Sequence, residues 1–447
     1  MEQRGRSDAG ARRHFCVVTE TYPPEINGVA TTLAHLVSGL RARGHHVSVA
    51  RPRQRVDAAR PWPDAATTLV AGVRLPGYRG LQIGLPAGAA LRSAWTRYRP
   101  DAVYAATEGP LGWSALRAGA ALGVPVYSGF HTNFHAYVGH YRAGWLRHAA
   151  AGYLRYFHNA SAGTLVATEC LQAELARAGF RNLGVIGRGV DSRRFDPARR
   201  SLALRKSWGV SGDDFVVLYV GRLAAEKNVE LAIEAYRAMS RVSRRLRFVL
   251  VGDGPLGPAL RRDHPDLVFP GFKTGDDLAA HYASADVFLF PSETETFGNV
   301  TLEAMASGLL VIAYDYAAAR VHIESGVSGL AVREGDRQGF IAAAVRLASE
   351  PALVAPMRRR ARAAMEALDW AHVVERFERL LIGDARREEH ISGQQSALAR
   401  PGTWRSRHRW AGGAEARGRA LHHARAVADA SLSAAAVAPD PDVSLRG

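Results

Sequence analysis

The sequence predicts an α/β protein built from two doubly wound parallel-sheet domains. Three observations lead there. Short apolar runs recur at residues 15–19, 47–50, 102–105, 126–129, 163–167 and 183–186, separated by helical patterns. Runs this short between helical stretches suit parallel strands buried on both faces, joined by crossover helices. A polar stretch carrying Arg and Pro then covers 191–200, and the same rhythm restarts at 215–220, 248–251, 268–269, 287–290 and 310–313. Finally, 447 residues are enough for two domains of ordinary size plus a tail. The expected division is an extension over 1–13, a first domain over 14–200, a second over 201–367, a last amphipathic helix over 368–384 and a tail over 385–447. Ala, Arg, Ser, Gly and Pro dominate the tail, which has too few large apolar residues for a core and is expected to be disordered.

Composition narrows the partners. Apolar residues make up 47% and charged residues 22%, and no run approaches the ~20 apolar residues of a membrane span. Residues 1–13 lack a following apolar segment of signal-peptide length, and two cysteines, Cys16 and Cys170, cannot form a disulfide framework. A cytoplasmic protein is expected, with peripheral contact at the inner face of the cell membrane as an option. The net charge of +16 invites an acidic partner. Its basic residues are dispersed and no nucleic-acid motif is visible, so nucleic acid is not expected.

Taken in order, the strand ends carry the chemistry. After the first strand, Pro23-Pro24 and Asn27-Gly28 form a rigid turn into an amphipathic helix with Leu33, Leu36, Val37 and Leu40. Gly28 leaves the amides of that helix start open to a phosphate. The turn is not the G-x-G-x-x-G fingerprint, which disfavours nicotinamide or flavin. His131 follows the strand at 126–129, where it can orient a reacting hydroxyl if the domains face each other. His135 and His140 give no zinc pattern, so no metal site is expected. Residues 141–158 interleave Arg142, Arg147 and Arg155 with Trp145, Leu146, Tyr153, Leu154, Tyr156 and Phe157, a stripe that suits either core packing or an anionic membrane surface. In the second domain, Arg222 and Lys227 stand five apart on a strand-to-helix connection, a planar fork and a point charge able to converge on a diphosphate. The apolar run at 287–290 ends at Pro291. Glu295 therefore sits in a loop at the carboxyl end of a strand, Gly298 permits close backbone approach, and the helix that follows carries Glu303 and aims its amino terminus at the same crevice.

The string Pro291-Ser292-Glu293-Thr294-Glu295-Thr296-Phe297-Gly298-Asn299-Val300-Thr301-Leu302-Glu303-Ala304-Met305 resembles the Glu-x7-Glu signature of retaining family 4 glycosyltransferases, and Gly221-Arg222-Leu223-Ala224-Ala225-Glu226-Lys227-Asn228 is similar to a second motif of that family. The resemblance covers about residues 14–382. It implies the GT-B fold, two Rossmann-like domains facing a central cleft, with the last helix returning to the first domain. It also implies that Glu295 holds hydroxyls of the donor sugar and Glu303 the nucleotide ribose. Gly28 falls near the donor diphosphate, Phe297 and Gly298 lie inside the donor string, and Phe272 and Lys273 belong to a loop lining ribose and base. His131 matches a crevice histidine. One departure is Tyr314-Asp315-Tyr316-Ala317-Ala318-Ala319-Arg320, where many members carry Gly-Gly. The expected reaction moves a hexose from a nucleotide sugar to a lipid or glycan hydroxyl without metal or cofactor. Arg222, Lys227 and amides near Gly28 would stabilise the departing diphosphate. The stretches around Gly28 and Phe130-His131-Thr132-Asn133-Phe134 look most like GDP-mannose-dependent mannosyltransferases and sulfolipid synthases, favouring GDP-mannose over UDP-glucose. A nucleotide-sugar epimerase of the same fold and a non-catalytic nucleotide-sugar sensor are the alternatives.

Overall fold

The computed structural model describes residues 12–25, 27–54, 57, 66–74, 82–131, 144–210, 214–243 and 245–383. Residues 1–11 of the extension expected over 1–13, the whole tail expected over 385–447 and residues 132–143 lie outside them. The first domain carries β1 (His14–Val18), β2 (His46–Pro52), β3 (Thr67–Val70), a small antiparallel hairpin of β4 (Gly72–Arg74) and β5 (Gln82–Gly84), then β6 (Ala102–Ala105), β7 (Val126–Gly129), β8 (Gly163–Val166) and β9 (Leu183–Val185). The second carries β10 (Phe215–Val220), β11 (Leu246–Val251), β12 (Val268–Gly271), β13 (Val287–Phe290), β14 (Leu310–Tyr314) and β15 (Gly329–Val332). The sheet orders are β3-β2-β1-β6-β7-β8-β9 and β12-β11-β10-β13-β14-β15. Every neighbour pair in both sheets is parallel. The order reverses between β1 and β6 and again between β10 and β13, which are the places where a doubly wound sheet opens a crevice at its carboxyl edge.

Burial explains the strands. The residues of β1, β6, β13 and β14 are buried throughout, matching their unbroken apolar runs. The sequence reading missed β3, the hairpin and β15 because these lie at edges or outside the main sheets, where half-exposed Thr, Gly and Ala residues blur the apolar signal.

Six helices position the site or the domains. In α1 (Gly28–Ala42), Asn27 caps the start by accepting from the Ala30 amide at 2.9 Å, and Leu33, Leu36, Val37 and Leu40 form the buried face. The helix α2 is Gly144–Asn159, α3 is Asn299–Ala306, α4 is Ala317–His322, α5 is Val354–Glu366 and α6 is Trp370–Leu381. Asp369 caps α6, whose Val373, Val374, Phe377 and Leu381 join the core of the first domain although the chain reaches them from the second. A Cβ at Gly39 of α1 would run into Val374, so glycine there permits the close approach of the two helices. The aromatic stripe divides: Leu154 and Phe157 of α2 are buried, while Tyr153 and Tyr156 remain exposed beside Trp113. Side chains of 144–147, and all of 141–143, lie outside the described residues.

A charge cluster fastens the interdomain segment to the second domain. Asp286, buried before β13, accepts from Arg200 at 3.0 Å, Arg205 at 3.2 Å, Arg358 of α5 at 2.8 Å and the Val216 amide at 2.9 Å. Nearby, Arg362 bonds Asp196 and the Ser192, Phe195 and Ala306 carbonyls. One buried carboxylate thus anchors three arginines from two separate crossings.

Candidate active site

The strand β13 ends at Pro291, and the chain turns through Glu295 to Gly298, whose φ of +90° is a left-handed value that glycine adopts without strain. The helix α3 starts there, leaving its first amides at the carboxyl edge of the sheet. Glu295 Oε1 accepts from Lys227 Nζ at 2.6 Å and from Ser292 Oγ at 2.8 Å, and Lys227 also donates to the Thr294 carbonyl at 2.9 Å. Lys227 reaches it because β10 and β13 are paired neighbours and a 3-10 turn, Ala225–Lys227, follows β10. Lys227 and Glu295 form one ion pair, since both leave the carboxyl ends of adjacent strands. Arg222 is half-exposed, with Nη1 3.4 Å from Glu226.

The first domain closes on this loop from its own switch point. A Cβ at Gly28 would lie 3.9 Å from Asn299 Nδ2, so the starts of α1 and α3 face each other. The Thr296 hydroxyl donates to the His131 carbonyl at 3.2 Å. Both His131 ring nitrogens are engaged: Arg188 Nη2 lies 3.0 Å from Nδ1, and Tyr104 Oη lies 3.0 Å from Nε2. Arginine only donates, so Nδ1 accepts and the ring hydrogen is on Nε2. Burial, with the Arg188 charge beside it, holds the His131 pKa well below the ordinary histidine value.

A profile described as "Glycosyltransferase Family 4" matches residues 26–194, and one described as "Glycosyl transferases group 1" matches 214–350. The GDP-mannose-dependent alpha-mannosyltransferase of Corynebacterium glutamicum is 34% identical over 318 residues, 70% of this chain and 75% of the relative. That of Mycolicibacterium smegmatis is 36% identical over 308 residues, 67% of this chain and 79% of the relative. The chain belongs to glycosyltransferase family 4. In fold, this glycosyltransferase is similar to Anabaena HepE, crystallised with UDP, at a TM-score of 0.67 and 20% identity, over 82% of this chain and 99% of that one. Both sheets and their flanking helices are those of the GT-B architecture.

The remaining expected residues of the glycosyltransferase fall around the same edge. Glu303, in the second turn of α3, accepts from Tyr282 Oη at 3.0 Å, and burial pushes its carboxyl up to about 7 although the residue keeps some contact with solvent. Phe297 is buried, its ring facing Arg188 and His322. Phe272 is exposed in the turn after β12, and Lys273 pairs with Asp277 at 3.0 Å. Among the described residues, no group of three or more His, Cys, Asp or Glu is placed to hold a metal ion.

Sequence reasoning passed over Arg188 and Tyr104, and gave Thr296 and Tyr316 no role beyond the segments that contain them. A signal existed for Arg188, a lone cation between Gly187 and Gly189 just beyond β9. Tyr316 lies in the segment that departs from Gly-Gly. There Ala317 adopts φ +50°, so an alanine takes the left-handed conformation glycine would take freely, and the Ala318 amide donates to the Phe297 carbonyl at 2.7 Å. The loop thereby keeps its place against the Glu295 loop.

Glu303 gives this glycosyltransferase a pH signature. Its carboxyl titrates near 4.5 when free and near 7 in the folded chain. The folded state therefore holds the proton more tightly, so this contribution to stability is full below about 4.5 and disappears as pH rises through about 7. Glu303→Gln is expected to flatten the fall in melting temperature between pH 5 and 8. Part of the slope persists, because burial also pushes Glu20 up to about 7. Superimposable melting profiles for parent and variant would contradict the assignment.

Proposed function

We propose that this enzyme transfers a hexose, mannose from GDP-mannose in preference to glucose from UDP-glucose, onto a hydroxyl of a lipid or glycan acceptor with retention at the anomeric carbon. The observation that carries the reading is the Lys227–Glu295 pair beside the open start of α3, facing the start of α1. This places a cation, a carboxylate and two sets of amides around one point. A nucleotide sugar needs all three: charge and amides for its diphosphate, and an acceptor for its sugar hydroxyls. The mannosyltransferases named above support mannose, and the alpha-monoglucosyldiacylglycerol synthase of Acholeplasma laidlawii, 27% identical over 327 residues, 67% of this chain and 80% of that relative, is consistent with a lipid acceptor.

In this mechanism the donor phosphate leaves as negative charge builds, stabilised by Lys227, Arg222 and the amides. No protein nucleophile is required, and the departing phosphate takes the acceptor proton. His131, with both nitrogens engaged, positions the cleft through its carbonyl bond to Thr296 rather than moving a proton. We assign the diphosphate charge to protein groups, so turnover is expected to persist in EDTA. Abolition by chelator, with recovery on adding magnesium or manganese, would overturn that assignment.

Peripheral membrane contact fits the exposed Tyr153 and Tyr156 beside Trp113, with Arg155 on the same helix. Among the described residues no single helix is long and apolar enough to cross a membrane. The donor reading is tested with GDP-mannose, UDP-glucose and UDP-sulfoquinovose, read by nucleotide release and by glycosylated acceptor. GDP-mannose should be turned over fastest. Free epimerised sugar, or binding without release, would replace the proposal with an epimerase or a sensor.

A further inference from the structure

Arg188 stands out among the cations of the cleft. Lys227 is neutralised by Glu295 and Arg222 lies near Glu226. Arg188 is only 5% exposed, and the contacts described for it are the Gly187 carbonyl at 3.1 Å, the neutral His131 ring at 3.0 Å and the face of Phe297 at 5.9 Å. Among the described residues none of these partners is a carboxylate. A buried guanidinium without a counter-ion is costly, and it persists where an anion completes it. Its place defines which anion. Phe297 is two residues beyond Glu295, and Thr296 between them bonds His131, so Arg188 reaches the donor loop from the opposite domain.

We propose that Arg188 is a phosphate-binding residue of the cleft, its fork taking phosphoryl oxygens from the donor's diphosphate or from a phosphate ester on the acceptor. The planar fork matches phosphate geometry, and the Phe297 face and His131 hold its plane. The phosphate would then bridge the domains, contacted by Arg188 on one side and by the Lys227 and α3 side on the other. The proposal rests on the glycosyl-transfer reading for the identity of its ligands.

The test is calorimetry on the parent, Arg188→Gln and Arg188→Lys with GDP and UDP, and then with glycerol 3-phosphate added to nucleotide-loaded enzyme. If the phosphate is the donor's, Arg188→Gln weakens the favoured nucleotide ~10-fold or more, and Arg188→Lys recovers part of the loss. If it is the acceptor's, nucleotide affinity stays within about two-fold and saturable glycerol 3-phosphate binding disappears in Arg188→Gln. A role confined to stapling His131 and Phe297 predicts a lower melting temperature with both affinities unchanged, which overturns the proposal. Should Arg188→Gln fail to fold, Arg188→Lys decides: a several-fold loss for one ligand supports phosphate binding and no loss refutes it. Failure of the parent to bind either nucleotide counts against the donor reading, and the glycerol 3-phosphate arm, run on unloaded enzyme, then judges Arg188 alone.

Discussion

Lys227→Ala is expected to lower kcat/KM by ~10²-fold or more, the scale of one lost donor to a transition-state anion. Two losses combine. The ammonium that would meet the departing diphosphate is removed, and Glu295, whose side chain is 15% exposed, loses the partner 2.6 Å away that fixes its carboxylate. Arg222→Ala should cost less, about ten-fold, because its half-exposed guanidinium acts through more solvent. Steady-state nucleotide release on variants shown to be folded measures both. A drop of less than about three-fold for Lys227→Ala would mean that the pair is structural.

The largest stability effect should come from Asp286→Ala. The substitution strands Arg200, Arg205 and Arg358 around a site from which their shared carboxylate is gone, and leaves the Val216 amide without its acceptor. Breaking a buried ion pair by removing one partner costs ~3–5 kcal/mol, a large share of the 5–15 kcal/mol that holds an ordinary domain folded. The segment carrying Arg200 joins the domains, and α5 packs on the second-domain core just before the chain returns to the first at α6, so the loss falls on the second domain's hold on both. Urea unfolding should show a lower midpoint, with Asp286→Asn intermediate because its amide oxygen can still accept. A loss below about 1 kcal/mol would show that the arginines find other partners.

Much of this architecture could be read from the sequence, and the reasons are physical. Strands buried on both faces, such as β10 and β13, must be continuously apolar, so they announced themselves. Edge strands such as β3 and β15 need no such run and were missed. At the site, residues on the two motifs came from one stretch each, so Arg222, Lys227, Glu295, Gly298 and Glu303 were visible as patterns. What a linear pattern cannot show is pairing across the sheet. The contact of Lys227 with Glu295, 68 positions apart, depends on β10 and β13 being neighbours. Likewise, Arg188 meets His131 only because the segment after β9 folds back past the end of β7. Nothing local in either segment marks that meeting.

The proposed mechanism divides the labour, with the cations holding the diphosphate and Glu295 the sugar. Glu295→Gln isolates it, since the amide oxygen can still accept from Lys227 and Ser292 while the carboxylate charge and its second strong acceptor are gone. Calorimetric binding of GDP, compared with transfer from GDP-mannose on the same preparation, is the direct measurement. GDP affinity is expected within ~3-fold of the parent, with transfer reduced ~10²-fold or more. Loss of GDP binding as severe as that in Lys227→Ala, or transfer left intact, would contradict it.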